Sequence, residues 1–277
     1  MSHLRAITRA LGLIFVTAAM YLLLVCGSWL IAGFRKSTNQ WRAHVFRRWA
    51  RATASILRLK IAVEGPPPAP PFLLVSNHLS YLDILVFASR IDCVFVARGD
   101  LAGSPVIGSL CRAVNTIFVD RERRADVSRV STLIERALRE GRGVVLFAEG
   151  TSTQGALIAP FKSSLLEPAA RASFPVSYAA ISYRTLDGER PAHLSVCWWG
   201  KMIFFRHLLG VLQLKEIRSN VVFGAEPIQA SNRKVLAEKL RTAVREEFIP
   251  VVRLPDEATS LATTSSESAM RPLDANG

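Results

Sequence analysis

The stretch "FLLVSNHLSYLDILVFASR", residues 72–90, joins a strand to a helix through a polar turn. Its first six residues are strand-like in length and in β-branched and aromatic content, and residues 80–90 have a helical pattern. Four residues separate His78 from Asp83 within this stretch. Five steps of an ideal helix turn through about 500°, which would leave the two side chains about 140° apart. They can meet only if His78 lies before the first helical turn and folds back over it.

A contact between His78 and Asp83 would have a chemical use. A carboxylate that accepts a proton from one imidazole nitrogen fixes the tautomer and raises the basicity of the other nitrogen, as a general base acting on a hydroxyl requires. Asn77 would then hold the turn. In the structural alternative, Asp83 is a first-turn acid that complements the helix dipole, and His78 is a capping residue. Spacing alone leaves both interpretations open.

Short apolar runs alternate with helical patterns in the rest of the body. Further helices are predicted at residues 104–114, 124–140 and 231–248. Strands are predicted at residues 72–77, 93–98, 116–120, 143–150, 175–182, 194–199 and 217–224. The alternation predicts an α/β fold, a mixed sheet flanked by helices.

The N-terminal segment has the properties of a membrane anchor. Residues 10–34 carry no charge, and a helix of this length would extend roughly 37 Å, enough to cross a bilayer. In residues 35–60, apolar residues recur every three or four positions among arginines, which predicts a helix in the headgroup layer. Two arrangements stay open: a spanning helix followed by an interfacial helix, or a helical hairpin inserted in one leaflet. Both place the body on the cytoplasmic face of the inner membrane.

Charge and cysteine content narrow the class of partner. The net charge is +13, and ten Lys and Arg residues, from Arg5 to Lys60, precede the first acidic residue, Glu64. A basic block beside an apolar run predicts contact with an anionic membrane surface. Because these residues flank a hydrophobic helix, nucleic acid is not predicted as a partner. Neither CxxC spacing nor a companion histidine cluster accompanies the four cysteines, so no metal site or disulfide framework is predicted.

The chain divides into three parts by composition. Its length of 277 residues fits one α/β domain with an appended segment. Residues 1–60 are predicted to form the anchor and the basic amphipathic helix, and residues 61–254 the globular domain. Residues 255–277, rich in Ser, Thr, Ala and Asp, are predicted to be disordered.

Polar residues also follow two further predicted strands. In open α/β sheets, ligands gather at the carboxyl ends of the strands, so these turns and His78 are expected to form one cluster. Arginine suits a phosphate through its rigid fork of donors. Taken singly, the turns also fit a solvated charged loop and a tight turn with unusual glycine dihedrals. The residues in question are Arg121, Glu149, Gly150 and Thr151.

Four segments in sequence order resemble the four blocks of the glycerolipid acyltransferases related to bacterial lysophosphatidic acid acyltransferase. They are "NHLSYLD" (77–83), "IFVDR" (117–121), "FAEGTS" (147–152) with "PFKSS" (160–164), and "FPV" (174–176). The resemblance covers roughly residues 60–250 and makes residues 61–254 an acyltransferase domain. It implies transfer of a fatty acyl group from an acyl-CoA or acyl carrier protein thioester to 1-acyl-sn-glycerol-3-phosphate, which gives phosphatidic acid.

The resemblance also implies a role for each site residue. His78 would deprotonate the acceptor hydroxyl and Asp83 would orient it; the hydroxyl would attack the thioester directly, without a metal, a cofactor or a cysteine nucleophile. The other residues are expected in the substrate site: Asn77 beside the dyad, Arg121 on the acceptor phosphate, Glu149, Gly150 and Thr151 around the acceptor, Lys162 near phosphate, and Pro175 on the acyl-donor side.

One departure from the family pattern bears on the acceptor. Many members have arginine after Glu-Gly-Thr, whereas this chain has Ser152, which removes one candidate phosphate ligand. A lyso-ornithine lipid, which has no phosphomonoester, is therefore the alternative acceptor. The alternative of another class is a non-catalytic lipid-binding membrane protein, which would have no need of His78 near Asp83.

Overall fold

A computed structural model of the chain describes residues 2–35, 37–120 and 124–253. Arg121 and the predicted disordered tail, residues 255–277, lie outside the described residues. The helices are α1 (Ser2–Gly33), α2 (Asn39–Ile56), α3 (Leu82–Arg90), α4 (Ile107–Ala113), α5 (Arg124–Arg139), α6 (Glu167–Arg171), α7 (Ala192–Ser195), α8 (Phe204–Gln213) and α9 (Arg233–Glu247). The strands are β1 (Leu59–Glu64), β2 (Phe72–Ser76), β3 (Cys93–Arg98), β4 (Ile117–Val119), β5 (Gly143–Phe147), β6 (Val176–Thr185) and β7 (Ile217–Phe223).

One seven-stranded sheet with the order β1-β7-β6-β2-β5-β3-β4 organises the domain. All neighbouring strands are parallel except β6 and β7, so the predicted mixed sheet flanked by helices is confirmed. Strand β2 is central, and every residue of β2 and of β5 is buried. Parallel strands covered on both faces read as continuous apolar runs, which explains why both were recognisable in the sequence. The chain leaving β2 at Ser76 emerges at the middle of the carboxyl edge.

Helices α1 and α2 form an antiparallel hairpin, in which α2 packs on α1 from Gly12, beside Ile56, to Gly27, beside Trp41. Trp49 Nε1 donates to Thr17 Oγ1 at 3.1 Å. Towards the connection, the Trp41 indole packs on Gly27 so closely that a Cβ there would lie 2.4 Å from the ring. Glycine is therefore required at residue 27 for this approach of the two helices. Helix α2 in turn packs on α3 and donates from Arg51 Nε to the Ser89 carbonyl at 3.0 Å.

Two arginines fasten α1 to the globular domain. Arg9 is 7% exposed, and its guanidinium donates to the carbonyls of Leu212, Leu214 and Lys215. Arg5 donates to the Gln213 carbonyl at 2.7 Å. These carbonyls lie at the C-terminal end of α8. The last carbonyls of a helix have no N–H donor within the helix, and the helix dipole favours a cation there. The basic N-terminal block, which includes both arginines, is predicted from the sequence to contact lipid headgroups. In the structure, Arg5 and Arg9 contact protein instead.

The outer face of α1 is apolar and uncovered. Within the described residues, α1 is the one helix long and apolar enough to cross a membrane, with a mean hydropathy of 2.3 over its most apolar window. Exposed apolar residues recur along it at helical spacing: Leu4, Ile7, Leu11, Ile14, Phe15, Leu22, Leu23, Val25, Trp29 and Leu30. A continuous face of this kind needs an apolar partner or an apolar medium.

Two predictions about the sheet were wrong. Residues 194–199 are not a strand. The amides of Val196 and Cys197 donate to the Ala192 carbonyl, which closes a helical turn. The segment has strand-like composition because it is buried against neighbouring elements. Strand β1 was missed because it is a largely exposed edge strand beside β7, without the apolar run of a central strand. The boundary drawn after residue 60 therefore falls inside β1.

Candidate active site

Hydrogen bonds at the start of α3 place His78 and Asp83 together. The Ser80 hydroxyl accepts from the Leu82 amide at 3.3 Å, and Asp83 Oδ2 reaches back to the Ser80 amide at 3.1 Å. The same oxygen accepts from the Leu79 amide at 2.8 Å. In this arrangement the first-turn carboxylate points back past the helix start and not outward along the helix radius. The 140° separation calculated for a regular helix does not apply, because His78 precedes the first turn.

The imidazole of His78 contacts this carboxylate directly. His78 Nδ1 lies 2.7 Å from Asp83 Oδ2. Since Asp83 accepts from two backbone amides at the same time, its carboxylate is held as an acceptor, and His78 Nδ1 carries the proton. Nε2 is then the basic nitrogen, and it has no hydrogen-bond partner among the residues that the structure describes. The His78 side chain is 20% exposed while Asp83 is fully buried, so the imidazole is the solvent-accessible member of the pair.

The second oxygen of Asp83 has a partner that the sequence analysis missed. Tyr183, fully buried in β6, donates its hydroxyl to Asp83 Oδ1 at 2.6 Å. Burial first, and then the Asp83 carboxylate, raise the pKa of Tyr183 well above 10, so the phenol stays protonated and remains a donor. One hundred residues separate the two in sequence, and their contact follows from the pairing of β2 with β6.

Glu149 fixes the backbone of His78. Its two carboxyl oxygens accept from the amide of His78 at 2.7 Å and from the amide of Ala159 at 2.9 Å. Glu149 is 3% exposed; burial raises its pKa to about 7, and the two amide hydrogen bonds oppose that rise. The Thr153 amide donates to the His78 carbonyl at 3.0 Å. The turn after β5 therefore holds both the amide and the carbonyl of His78.

A ring stack completes the support of His78. The imidazole stacks on Phe147, the last residue of β5, with centroids 4.1 Å apart and an interplanar angle of 15°. Because Phe147 is itself buried, the stack limits rotation of the imidazole. Together with the hydrogen bond to Asp83, it leaves the ring one orientation in the site.

Asn77 contributes to the turn and not to a substrate surface. It is fully buried, and its amide pairs with the backbone of Ile181, accepting from the N–H at 2.8 Å and donating to the carbonyl at 3.0 Å. The side chain thereby extends the pairing of β2 and β6 by one residue. With both polar atoms occupied, Asn77 is a positioning residue, which corrects the substrate contact expected from the resemblance.

The residues after Glu149 form a tight turn beside the dyad. Gly150 has φ of +81°, and a Cβ there would lie 2.9 Å from Lys162 Cε. Glycine therefore permits both the turn and the passage of the Lys162 side chain across it. Thr151 and Lys162 are exposed at this turn, so a hydroxyl and an ammonium group are available near the carboxyl edge.

Ser152 has a structural contact of its own. Its hydroxyl donates to the carbonyl of Trp198, and the Trp198 amide donates to the Leu79 carbonyl at 2.8 Å. These two bonds join the turn after β5, the turn after β2 and the segment before α8. The residue that replaces the family's arginine therefore supplies a link between loops and no cation.

His207 closes the site from the side of α8. Burial lowers its pKa, so the imidazole is neutral. Its Nε2 lies 3.0 Å from the Cys197 carbonyl and donates to it, which leaves Nδ1 to accept from the Tyr81 hydroxyl at 3.1 Å. Tyr81 also packs edge-on against Trp198 and Phe204. Tyr81, which lies between His78 and Asp83 in the sequence, thereby joins the dyad turn to α8 and the segment before it.

Pro175, which is expected on the acyl-donor side, lies at the opposite edge of the sheet from the dyad. Pro175 directly precedes β6, whose first residue pairs in register with the start of β2, so it lies at the amino edge of the sheet. Five strand residues at about 3.3 Å each separate that edge from the turn that carries His78. Pro175 is therefore not a neighbour of the dyad. Arg121 follows the described end of β4 and lies outside the described residues; its phosphate contact stays a prediction.

Comparisons with known proteins first define the class to which this protein belongs. An acyltransferase family model matches residues 60–182, which contain His78, Asp83 and Glu149. The chain is 34% identical to the lyso-ornithine lipid O-acyltransferase of Rhizobium meliloti over 216 residues, covering 72% of this chain and 73% of that protein. It is 26% identical to the 1-acyl-sn-glycerol-3-phosphate acyltransferase of Neisseria meningitidis over 70% of this chain and 77% of that one.

The fold has a solved counterpart. The crystal structure of the 1-acyl-sn-glycerophosphate acyltransferase PlsC from Thermotoga maritima matches 89% of this chain and 97% of its own with a TM-score of 0.59 at 21% identity, which shows a shared fold. The protein is an acyltransferase. Within that class, the chain belongs to the glycerolipid acyltransferase family that includes the lysophosphatidic acid and lyso-ornithine lipid acyltransferases.

Proposed function

We propose that this acyltransferase moves a fatty acyl group from a thioester to the hydroxyl of a lysolipid, with His78 as the general base and Asp83 as its orienting partner. One observation carries the proposal: His78 Nδ1 lies 2.7 Å from the fully buried Asp83 carboxylate, while the His78 side chain stays 20% exposed and its Nε2 has no hydrogen-bond partner among the described residues. A non-catalytic lipid-binding protein could use the bonds of Asp83 to the Leu79 and Ser80 amides, but it would have no use for the contact with the imidazole.

The proposed reaction is a direct transfer. Nε2 of His78 takes the proton as the acceptor oxygen attacks the thioester carbonyl carbon, and the Asp83 carboxylate stabilises the imidazolium that forms. The tetrahedral intermediate collapses with cleavage of the C–S bond, and Nε2 returns the proton to sulfur. The products are the ester and a free thiol. The donor is proposed to be acyl-CoA or acyl carrier protein, and no other cofactor takes part.

The acceptor we favour is a lyso-ornithine lipid. Support comes from Ser152, which bonds a backbone carbonyl where many family members have a cation, and from relatives of 30–34% identity that carry this activity in four bacteria. Lysophosphatidic acid is the second candidate, since Lys162 places an ammonium group beside the Gly150 turn and the Neisseria relatives act on it. In that case phosphatidic acid would be the product.

We further propose that the hairpin of α1 and α2 lies in one leaflet at the cytoplasmic face of the inner membrane. Both parts of α1 contact protein: Arg9 near its start is bonded to α8, and Gly27 near its end packs on Trp41. Because α1 is held against protein at two distant points, these contacts support a hairpin inserted in one leaflet and not a helix that crosses the bilayer separately from the domain. Its uncovered apolar face would then contact acyl chains and bring the site to the lysolipid.

A two-acceptor assay tests the proposed function. The purified protein in mixed micelles, offered a labelled acyl thioester with each lysolipid in turn, should form ester from both or one, with kcat/KM for lyso-ornithine lipid at least about tenfold higher. A reversed preference would move the assignment to lysophosphatidic acid and keep the reaction. Thioester hydrolysis without any ester product would contradict acyl transfer itself.

Replacing Tyr183 with phenylalanine should slow the reaction without unfolding the protein. Without the phenol, Asp83 Oδ1 loses its donor, and the carboxylate is held less firmly against His78. We expect kcat to fall about tenfold with KM for both substrates unchanged, and thermal unfolding close to that of the wild type. Tyr178→Phe, on the same strand without contact to Asp83, is the matched control and should keep the wild-type kcat. Equal kcat for both variants would make Tyr183 a packing residue only.

A further inference from the structure

A second ligand site is suggested by a groove between α1, the start of α2 and α4. Its volume is about 530 Å³, within the range of small-molecule sites. One wall is the apolar side of α1, including Val25 and Trp29, and the other carries Arg42 and Arg112. The groove therefore has an apolar part and a cationic part, which suits an amphipathic anion.

The two arginines are held in place and are not neutralised. Arg42 Nη1 donates to the Ala113 carbonyl at 2.7 Å, and Arg112 Nη1 donates to the Ala102 carbonyl at 2.8 Å. Carbonyls orient a guanidinium without cancelling its charge. No Asp or Glu lines the groove, and within the described ranges neither arginine forms an ion pair with a carboxylate. Each keeps free N–H donors of the planar fork that binds phosphate oxygens.

The groove wall also contains a hydroxyl without a partner. Ser28 is 7% exposed, and its Oγ is buried with no hydrogen bond to any residue in the described part of the chain. Buried hydroxyls in folded proteins are nearly always paired, because an unpaired one loses its hydration without compensation. A ligand oxygen in the groove would offer that missing partner.

The groove is separate from the candidate active site. Asn39, which begins α2, bonds Asn115 and Glu140, which precede β4 and β5. The groove end of the hairpin is thus at the amino edge of the sheet, whereas His78 follows the carboxyl end of β2. A molecule bound here would not occupy the place of the acyl acceptor.

We propose that this groove binds one anionic phospholipid of the bilayer as a resident lipid, with its phosphate on Arg42 and Arg112 and an acyl chain along Val25 and Trp29. The bilayer is the source we choose because both apolar residues also belong to the uncovered face of α1. Basic pockets next to membrane helices take up acidic headgroups in this way. The inference rests on the proposed placement of α1 in the membrane and not on the identity of the acceptor.

Native mass spectrometry of the full chain in mild detergent, titrated with phosphatidylglycerol, tests the site. The Arg42→Gln/Arg112→Gln variant should bind the first phosphatidylglycerol about tenfold more weakly than the wild type. The control Arg139→Gln/Arg171→Gln removes the same charge from exposed positions on α5 and α6 and should bind like the wild type. Phosphatidylcholine, which has no net charge, should bind the wild type at least tenfold more weakly than phosphatidylglycerol.

Equal losses in both double variants, or equal binding of the two lipids, would overturn the site. Both arginines bond a backbone carbonyl, but Arg42 also bonds the Thr38 hydroxyl at the start of α2. Arg112→Gln alone is therefore the milder variant, and it should still weaken binding severalfold. Quenching of tryptophan fluorescence by brominated phosphatidylglycerol gives a second readout, part of which should vanish in Trp29→Phe. None of these measurements involves acyl transfer, so they succeed or fail independently of the two-acceptor assay.

Discussion

Acyl transfer by the His78→Ala variant should be lower by about 10³-fold in kcat, because the acceptor hydroxyl loses the group that takes its proton. The backbone amide and carbonyl of His78, which Glu149 and Thr153 hold, persist in this variant. The turn should therefore keep its shape. Rates in mixed micelles and flotation with lipid vesicles measure the two properties separately.

The matched control for this variant is His193→Ala. His193 is half-buried in α7, and the contact that it makes through its backbone carbonyl, with Trp199 Nε1, survives truncation of the side chain. We expect its activity within about twofold of the wild type. If His78→Ala kept a tenth of the wild-type rate while vesicle binding was normal, His78 would not be the base.

Two substitutions at Asp83 should separate catalysis from folding. Asparagine can accept from the backbone amides with its oxygen and donate to the Tyr183 hydroxyl with its nitrogen, so Asp83→Asn should fold with nearly normal stability. It lacks the charge that stabilises an imidazolium, and kcat should fall by about 10²- to 10³-fold. Alanine offers no acceptor at all. Asp83→Ala should lose similar activity and also about 3 kcal/mol of stability, since the helix cap and the buried phenol lose their partner.

Thermal unfolding in detergent and initial rates, measured on the same preparations, check both statements. A drop in activity that followed the loss of stability in both variants would show that Asp83 acts only as a helix cap. A stable Asp83→Asn protein with wild-type turnover would remove the dyad from the mechanism. The two variants thus decide between the interpretations that spacing alone leaves open.

The centre of the fold could be predicted because its signals are local. Strands β2 and β5 are continuous apolar runs, and α3 and α9 have the periodicity and polar starts of helices. The Ser-x-x-Asp pattern of Ser80 and Asp83 was also readable, and it is the signal that would have predicted a carboxylate turned back towards His78. The position of Pro175 at the amino edge was also readable, since this residue precedes its strand, and its role on the acyl-donor side stays a prediction.

Contacts between distant segments were beyond local patterns. Tyr183 reaches Asp83 only because β6 lies next to β2, and nothing in "ISYRT" shows which strand will be its neighbour. Residues 194–199 have strand-like composition because they are buried, but their amides bond within a helical turn. The acceptors of Arg9 could not be predicted either, because they lie more than 200 residues away at the end of α8.

The bonds from Arg5 and Arg9 to the end of α8 bear on how this enzyme can be handled. Deleting the first 35 residues would strip the donors from those carbonyls and uncover the side of α2 on which Thr17 and Gly27 rest. The shortened protein would expose the apolar side of α2 in place of the apolar face of α1 that was removed. Engineering a water-soluble version therefore calls for polar substitutions on the outward positions of α1, with the helix itself retained.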